Sequence, residues 1–321
     1  MLKVTKTRST HAELSGEFTV LLFYKYVDVA DPKQLMDAIR AKATELNLKG
    51  RVIIATEGLN GTLEGANDDA VAFAVWIKEN PLFADMHIKT SQGYGDVFPK
   101  LSVKVRPEIV TLQALHLKPH AGHGGKHIPA EELHKWFEEG KDFIVLDMRN
   151  GYEYDLGHFE GARKIPMRAF KEMRGLLPQF QDLKKKTVVA VCTGGVRCEK
   201  GTAVLREEGF ENVYQLDGGI HTYMEKFPKG YWKGPLYTFD RRTTMDFTNG
   251  ESSAIGNCYI CNAVGECMGD CSDTECTGQY VICAGCHRKG KRILCDHENH
   301  LSLWQKIKRA LSLRKTQPAI G

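Results

Sequence analysis

The stretch that decides the fold is TVVAVCTGGVRCEK, residues 187–200. Its first six residues are apolar or β-branched, so they predict a buried strand that ends at Cys192. A loop with two glycines follows, and residues 199–208 then have a helical pattern that ends at Gly209, a residue typical of helix C-termini. A strand that passes through a short loop into a helix is the repeating unit of a parallel α/β sheet.

The alternation of strands and helices extends over residues 128–232. A helix is predicted over residues 130–139, and further strands over 143–147 and 213–216. We therefore predict that this part of the chain is an α/β domain with a parallel sheet.

The first 117 residues have another order of elements. Strands are predicted over residues 18–27, 51–56, 59–64, 87–91 and 101–105, and helices over 33–48 and 67–80. The order β-α-β-β-α-β indicates a ferredoxin-like α+β domain of the acylphosphatase type, a fold that does not specify a function. Residues 118–127 (KPHAGHGGKH) are interpreted as a linker, since a glycine-rich run gives its histidines no rigid scaffold.

Composition limits the class of protein. The 321 residues carry a net charge of +4, with 42% hydrophobic and 26% charged residues, as in an ordinary soluble protein. The N-terminus resembles no secretory signal, and the apolar run 18–24 is too short for a membrane helix. We expect a cytoplasmic protein without a membrane partner, in which clustered cysteines serve metal binding or catalysis rather than disulfides.

Cys192 lies in a predicted environment that stabilises its negatively charged thiolate. The amides of a tight loop, the N-terminus of the next helix and the charge of Arg197 all stabilise a thiolate. The C-x4-R spacing from Cys192 to Arg197 makes a smaller cup than the C-x5-R spacing common in phosphatases, so it favours a sulfur atom over a phosphate. The alternative is a buried cysteine beside a structural turn.

Two further motifs surround this loop. Asp147-x-Arg149, Glu153 and Gly157-His158-Phe159 precede it, and the sequence LDGGI, residues 216–220, follows it. The three motifs together resemble the rhodanese domain. That resemblance implies that Cys192 is catalytic and can hold a persulfide, and that Arg197 assists it. It also implies a cradle formed by Thr193, Gly194, Gly195 and Val196, and a supporting ion pair between Asp147 and Arg149. Glu153 and His158 are interpreted as structural.

Cys198 directly follows Arg197 and is a possible resolving cysteine for an oxidised or persulfidated Cys192. The alternative is a thiol packed in the first turn of the helix, because neighbouring positions there rarely point the same way.

Residues 233–300 form a predicted cysteine-rich module with two CxxC pairs, Cys258/Cys261 and Cys283/Cys286. Their spacing is typical of a tetrahedral site, so we predict a structural zinc ion. The alternatives are that some of these cysteines are free thiols or form disulfides, or that they hold an iron–sulfur cluster. Four other cysteines are candidates for a second site, namely Cys267, Cys271, Cys276 and Cys295.

The order of the three modules resembles the bacterial tRNA uridine-5-hydroxylase (TrhO) family of the rhodanese superfamily. The resemblance implies hydroxylation of the wobble uridine of tRNA with O2 as co-substrate, and the anticodon region of tRNA as partner. No flavin, haem or nucleotide motif is seen. A basic tail, residues 301–321, and the cluster Arg288–Lys289–Gly290–Lys291–Arg292 suit phosphate contacts, although a solvated helix is an equal alternative for the tail.

Two other functions remain open. One is a thiosulfate or persulfide sulfurtransferase, which would use the same cysteine. The other is a zinc-stabilised binding protein with an inactive rhodanese module, and the presence of both Cys192 and Arg197 argues against it.

Overall fold

The structure is a computed structural model that describes residues 16–251, 253–272, 276, 278–293 and 295. The predicted basic tail, residues 301–321, lies outside the described residues. The chain divides into two compact units, Met1–Ser253 and Ala254–Gly321. None of the helices in the described ranges combines the length and the apolarity that crossing a membrane requires.

The N-terminal part has the predicted ferredoxin-like order, β-α-β-β-α-β, followed by a fifth strand. Its elements are β1 (Phe18–Tyr26), α1 (Pro32–Glu45), β2 (Lys49–Ala55), β3 (Gly58–Ala66), α2 (Asn67–Glu79), β4 (Ile88–Gln92) and β5 (Leu101–Val105). They form one sheet in the order β4-β1-β3-β2-β5, in which β5 runs parallel to β2. Asp31 caps α1 by accepting hydrogen bonds from the amides of Lys33 and Gln34 at 3.0 and 2.9 Å.

The two faces of this sheet have different partners. Side chains alternate along β1, so Leu21 and Phe23 pack into the core that contains α1 and α2. Leu22 and Tyr24 therefore project from the opposite face, where they line a cleft against the next domain.

The central part is the predicted parallel α/β domain. Its elements are β6 (Lys126–Ile128), α3 (Ala130–Glu138), β7 (Ile144–Asp147), α4 (Gly151–Leu156), β8 (His158–Phe159), β9 (Arg163–Lys164), α5 (Met173–Leu176), β10 (Thr187–Val191), α6 (Val196–Glu207), β11 (Asn212–Leu216) and α7 (Gly219–Lys226). The sheet order is β6-β11-β10-β7-β9, and its neighbouring strands are parallel. Residues 126 and 127 of the predicted linker thus belong to an edge strand.

Helix α6 begins three residues earlier than predicted. Gly195 has a φ of +105°, a conformation that favours glycine, and the helix starts at the next residue, Val196. Arg197 and Cys198 consequently lie in the first helical turn, where both side chains are buried.

A buried ion triad joins the two domains of the first unit. The ammonium of Lys200 on α6 lies 2.6 Å from a carboxylate oxygen of Glu57 and 2.5 Å from one of Glu108. Both carboxylates also accept backbone amide hydrogen bonds, Glu57 from Ile109 and Glu108 from three amides of residues 112–114. The triad therefore fixes the N-terminal sheet against the helix that follows Cys192.

The first unit extends past residue 232. It includes β12 (Trp232–Lys233), β13 (Leu236–Tyr237) and β14 (Thr244–Met245). β12 pairs with β8, and Leu236, Met245 and Phe247 pack into the core of the α/β domain.

The second unit contains short elements around clustered cysteines. They are β15 (Gly256–Asn257), β16 (Val264–Gly265), β17 (Cys267–Asp270), β18 (Gln279–Ile282) and α8 (Ala284–Arg288). β17 and β18 form a hairpin, and a small core forms around Cys258, Ile282, Cys286 and Ile293.

Candidate active site

The loop after β10 folds around the sulfur of Cys192. The amide of Gly195 donates to this sulfur at 3.2 Å. The start of α7 supports the loop from below, where the amides of Ile220 and His221 donate to the carbonyls of Cys192 and Thr193 at 2.9 and 3.0 Å. A Cβ at Gly219 would lie 2.6 Å from the Cys192 carbonyl oxygen, which explains the glycine at this position of the LDGGI motif.

The surroundings of Cys192 favour its thiolate. Burial alone would raise the pKa of Cys192. The nearby Cys198 thiol, the charge of Arg197 and the amides of Cys198 and Gly195 outweigh burial and lower this pKa to about 6. Burial and the neighbouring Cys192 raise the pKa of Cys198, so the pair is a thiolate beside a thiol.

Because α6 begins at Val196, Cys198 lies in the first turn of this helix, and its thiol is buried. Its amide donates to the carbonyl of Gly195 at 2.9 Å. The role of Cys198 as a resolving cysteine stays a prediction.

Arg197 is held by a second partner, Glu153 of α4. Two hydrogen bonds of 2.6 and 2.8 Å join the guanidinium to the carboxylate, and a third of 3.1 Å reaches the Thr193 hydroxyl. Glu153 is fully buried. It therefore orients the cation beside Cys192, a contact that the sequence analysis did not predict.

Asp147 and Arg149 form a buried ion pair at the end of β7. The Arg149 guanidinium donates to Asp147 at 2.9, 3.2 and 2.6 Å, and to the carbonyl of Gly157 at 2.6 Å. The guanidinium carbon also lies 4.9 Å from the ring centroid of Trp232. The pair ties β7 to the turn after α4, the helix that carries Glu153.

The N-terminal sheet covers the loop from above. The buried Lys89 ammonium donates to the carbonyl of Gly194 at 2.8 Å, and the hydroxyl of Tyr26 donates to the carbonyl of Val196 at 3.2 Å. A Cβ at Gly195 would lie 2.5 Å from the Tyr24 hydroxyl oxygen. Cys192 is fully buried beneath this cover. These residues could not be recognised from the sequence, because 105 positions separate Lys89 from Gly194 and 170 separate Tyr26 from Val196.

A cleft of about 560 Å³ opens beside the covered loop. Its walls come from the free face of the N-terminal sheet, from the loop and from the segment after β13, and include Leu22, Ile53, Asn60, Thr62, Phe98, Asn150, Phe170, Thr193, Gly194, Val196, Arg197 and Phe239. The side chain of Phe239 is 47% exposed, and its ring centroid lies 5.5 Å from the guanidinium carbon of Arg197. The size and mixed lining suit a small ligand that has both apolar and polar surface.

The second unit brings two groups of sulfurs together. The sulfurs of Cys258, Cys261, Cys283 and Cys286 lie within 4.8 Å of one another, and those of Cys271, Cys276 and Cys295 form a second group. Both groups could hold a metal ion. Cys267 belongs to neither group among the described residues.

Family models match three successive parts of the chain. Residues 18–109 match the UPF0176 acylphosphatase like domain, 129–226 the Rhodanese-like domain, and 233–299 the Rhodanase C-terminal domain. A solved rhodanese-like domain from Anabaena is 26% identical over 34% of this chain and 78% of that chain, with a TM-score of 0.30. The fold assignment rests on the family models and on the topology described above.

Curated relatives extend over most of the chain. A protein of Cytophaga hutchinsonii named tRNA uridine(34) hydroxylase is 37% identical and covers 85% of this chain and 87% of its own length. Relatives with the same name from Corynebacterium kroppenstedtii and Shouchella clausii are 38% and 37% identical, and cover 86% and 89% of this chain and 96% and 86% of their own lengths. With this identity over nearly the full length of its relatives, the chain belongs to the tRNA uridine(34) hydroxylase family.

Proposed function

We propose that the protein is a cytoplasmic enzyme that hydroxylates C5 of the wobble uridine in the anticodon region of tRNA, with O2 as co-substrate. The observation that carries this proposal is the cleft beside the Cys192 loop, in a chain whose relatives are named tRNA uridine(34) hydroxylase. The cleft has room for one nucleobase displaced from its stack, as in other enzymes that act on a base.

The chemistry assigned to Cys192 follows from its thiolate. Addition of a thiolate at uracil C6 makes C5 nucleophilic, so that C5 can react with O2, and later elimination frees the sulfur. A persulfide on Cys192 could make the same addition. Thr193, Gly194, Gly195 and Val196 form the cradle in this scheme, and Arg197 stabilises the sulfur anion. Because the sulfur is fully buried, Leu22 and Tyr24 must move aside, or a persulfide must extend into the cleft.

Asn60, Asn150 and Arg51 are among the polar residues that line the cleft. Their amide and guanidinium groups can hydrogen-bond to the carbonyls and N3–H of a uracil ring. Phe239 offers a ring on which the base can stack. This set explains why a pyrimidine rather than a purely apolar ligand suits the cleft.

We assign zinc to the four-sulfur group of the second unit. A tetrahedral zinc site with Zn–S bonds of about 2.3 Å places its sulfurs roughly 3.8 Å apart. The sulfur of Cys261 lies 3.6 Å from that of Cys283 and 3.6 Å from that of Cys286, so the residues fit this metal. The ion would fix the fold of the unit and take no part in the uridine reaction.

The test is nucleoside mass spectrometry of tRNA incubated aerobically with the purified protein and a thiol reductant. We expect 5-hydroxyuridine with the wild type and none with Cys192→Ser. RNA containing 5-fluorouridine should form a covalent adduct with the wild type alone. Full activity of Cys192→Ser would exclude the cysteine mechanism.

Sulfur transfer remains the second candidate, since the amide cup around Cys192 also suits a persulfide sulfur. The same nucleoside measurement on a deletion strain separates the two. Loss of 5-hydroxyuridine indicates the hydroxylase, whereas loss of thiouridine indicates a sulfurtransferase.

A further inference from the structure

Lys89 is a buried cation whose charge the proposed mechanism does not use. It lies on β4 opposite Leu22 of β1, so both side chains project from the sheet face that covers the Cys192 loop. Lys89 is 7% exposed, and its ammonium donates one hydrogen bond of 2.8 Å, to the carbonyl of Gly194. No carboxylate among the described residues forms an ion pair with it. A buried ammonium without a counter-ion destabilises a fold, so its presence beside the loop needs a reason.

A second cavity, of about 80 Å³, lies beside this ammonium. Most of its exposed wall is apolar and includes Val20, Phe98, Leu236 and Met245. The volume accommodates a molecule of a few atoms and is well below the roughly 300 Å³ or more of pockets for larger ligands. The cavity therefore suits a small apolar molecule rather than a base.

The other charged groups at this cavity compensate one another. Arg242 donates to the carboxylate of Asp240 at 2.9 and 2.5 Å. Nδ1 of His221 lies 3.5 Å from a carboxylate oxygen of Glu225. Of the charged side chains that the structure describes around this space, Lys89 alone lacks a partner of opposite charge.

The small cavity adjoins the cleft beside the Cys192 loop. Five residues line both spaces, namely Leu22, Thr62, Phe98, Thr193 and Phe239. The movement of Leu22 that would expose the Cys192 sulfur would therefore also open the small cavity toward a base in the cleft.

We propose that the small cavity receives O2, and that Lys89 stabilises the peroxide anion that forms when O2 accepts the electron pair of uracil C5. The inference rests on the proposed function and adds to it a site for the co-substrate and a further catalytic residue. O2 is apolar and enters an apolar space without loss of hydrogen bonds, whereas its reduced form is an anion that needs a cation. A fixed positive charge in a cavity that excludes water stabilises such an anion more than a charge in solvent does.

Each step balances. After the thiolate has added at C6, the C5 electron pair forms a C5–O bond, and the terminal oxygen takes the negative charge. Lys89 donates a proton to this oxygen, which gives a C5 hydroperoxide, and solvent later returns the proton. Two molecules of an external thiol reduce the hydroperoxide to a C5 hydroxyl and water, and become one disulfide. Loss of the C5 proton and of the C6–S bond restores the double bond and frees the cysteine.

Lys89→Gln tests the charge, because a glutamine amide is uncharged and can still donate to the Gly194 carbonyl. Rates are measured on the full-length protein at about pH 8, where Cys192 stays a thiolate, with saturating tRNA, excess dithiothreitol and a range of O2 concentrations. We expect kcat/KM for O2 to fall roughly 100-fold or more. Lys78→Gln, at an exposed position of α2, is the control and should behave as the wild type.

The step before O2 separates this role from a structural one. The covalent adduct with RNA containing 5-fluorouridine is measured under argon, and it should form in Lys89→Gln as fast as in the wild type. A defect in the loop would slow this step as well.

Val20→Met tests the cavity without a change of charge. The longer side chain occupies part of the space, so KM for O2 should rise severalfold, while an unchanged KM for tRNA shows that the variant is folded. An unchanged KM for O2 in this variant would place the O2 site elsewhere.

An unchanged kcat/KM for O2 in Lys89→Gln would overturn the inference and leave the hydroxylase intact. Slow adduct formation in that variant would overturn it too, because Lys89 would then act by holding the loop. Lack of product with the wild type, or a product hydroxyl without label from isotopically labelled O2, would remove the proposed function and this inference with it.

Discussion

The guanidinium of Arg197 donates two hydrogen bonds to the carboxylate of Glu153, from Nη1 to Oε1 at 2.6 Å and from Nη2 to Oε2 at 2.8 Å, and both groups are buried. Bidentate pairs of this kind fix orientation as well as charge. Arg197 therefore has two functions in the structure, since it compensates a buried carboxylate and also stabilises the Cys192 thiolate.

Removal of one partner of this pair should cost stability. Arg197→Gln leaves the Glu153 carboxylate buried without its cation, and the free energy of unfolding should fall by about 3–5 kcal/mol. The double variant Arg197→Gln/Glu153→Gln has no charge left to compensate and should recover a large part of that loss. Urea unfolding of both variants checks this. Equal losses in the single and double variants would contradict it.

The same double variant should change the pH profile of the reaction. The pKa of Cys192 is lowered to about 6, so the wild-type rate should be constant near neutrality and fall as pH decreases through about 6, where the thiolate is protonated. Loss of the Arg197 charge removes one cause of the lowered pKa. The acid limb should then move upward by roughly one pH unit. Single-turnover rates measured across the acid limb test this shift, and an unmoved limb would show that Arg197 does not set the thiolate population.

The sequence could predict the parts of this site that are close together along the chain. The strand, the glycine loop and Arg197 follow one another, and the helix and strand order of both domains was predicted from periodicity. The start of α6 was placed too late, because the pattern of residues 199–208 does not reveal that the positive φ of Gly195 allows the helix to begin at Val196.

The residues of the N-terminal sheet that contact the Cys192 loop could not be predicted from the sequence. Lys89, Tyr24 and Tyr26 belong to an N-terminal sheet whose fold carries no functional signal, and their role depends on how two domains pack. The position of Cys198 in the first turn of α6 likewise depends on where the helix begins.

Lys200 should be essential to the packing of the two domains. Lys200→Met removes the cation that Glu57 and Glu108 share, and two buried carboxylates would remain. The free energy of unfolding should decrease by about 3–5 kcal/mol. Burial raises the pKa of Glu108, but the hydrogen bonds from Lys200 and from backbone amides lower it below its usual value. The stabilisation that the ion pair with Lys200 provides is therefore present near neutrality and is lost as pH falls through the pKa of Glu108.

Urea unfolding at neutral pH measures the effect of Lys200→Met. Lys126→Met, at an exposed position of edge strand β6, is the control and should change stability little. Similar unfolding curves for the two variants would contradict a structural role for the triad.

Phe239 should govern the binding of the base. Its ring is half exposed at the cleft, and loss of one stacking ring costs about 1–3 kcal/mol per base. Phe239→Ala should therefore raise KM for tRNA roughly fivefold to a hundredfold and leave the free energy of unfolding nearly unchanged. Steady-state kinetics test this, with Leu115→Ala, which removes another exposed apolar side chain, as the control. An unchanged KM for Phe239→Ala would place the base elsewhere.

Substitution of a cysteine should impair catalysis in the first unit, and metal binding and stability in the second. Cys192→Ser should abolish hydroxylation with the fold intact, because the loop is held by backbone hydrogen bonds of α7 that do not involve the sulfur. Cys258→Ser or Cys283→Ser removes a ligand from the four-sulfur group and should lower the metal content by one equivalent, together with the stability of the second unit. Elemental analysis and thermal unfolding distinguish the two kinds of defect. A Cys283→Ser protein with full metal content and wild-type stability would show that this group is not a structural metal site.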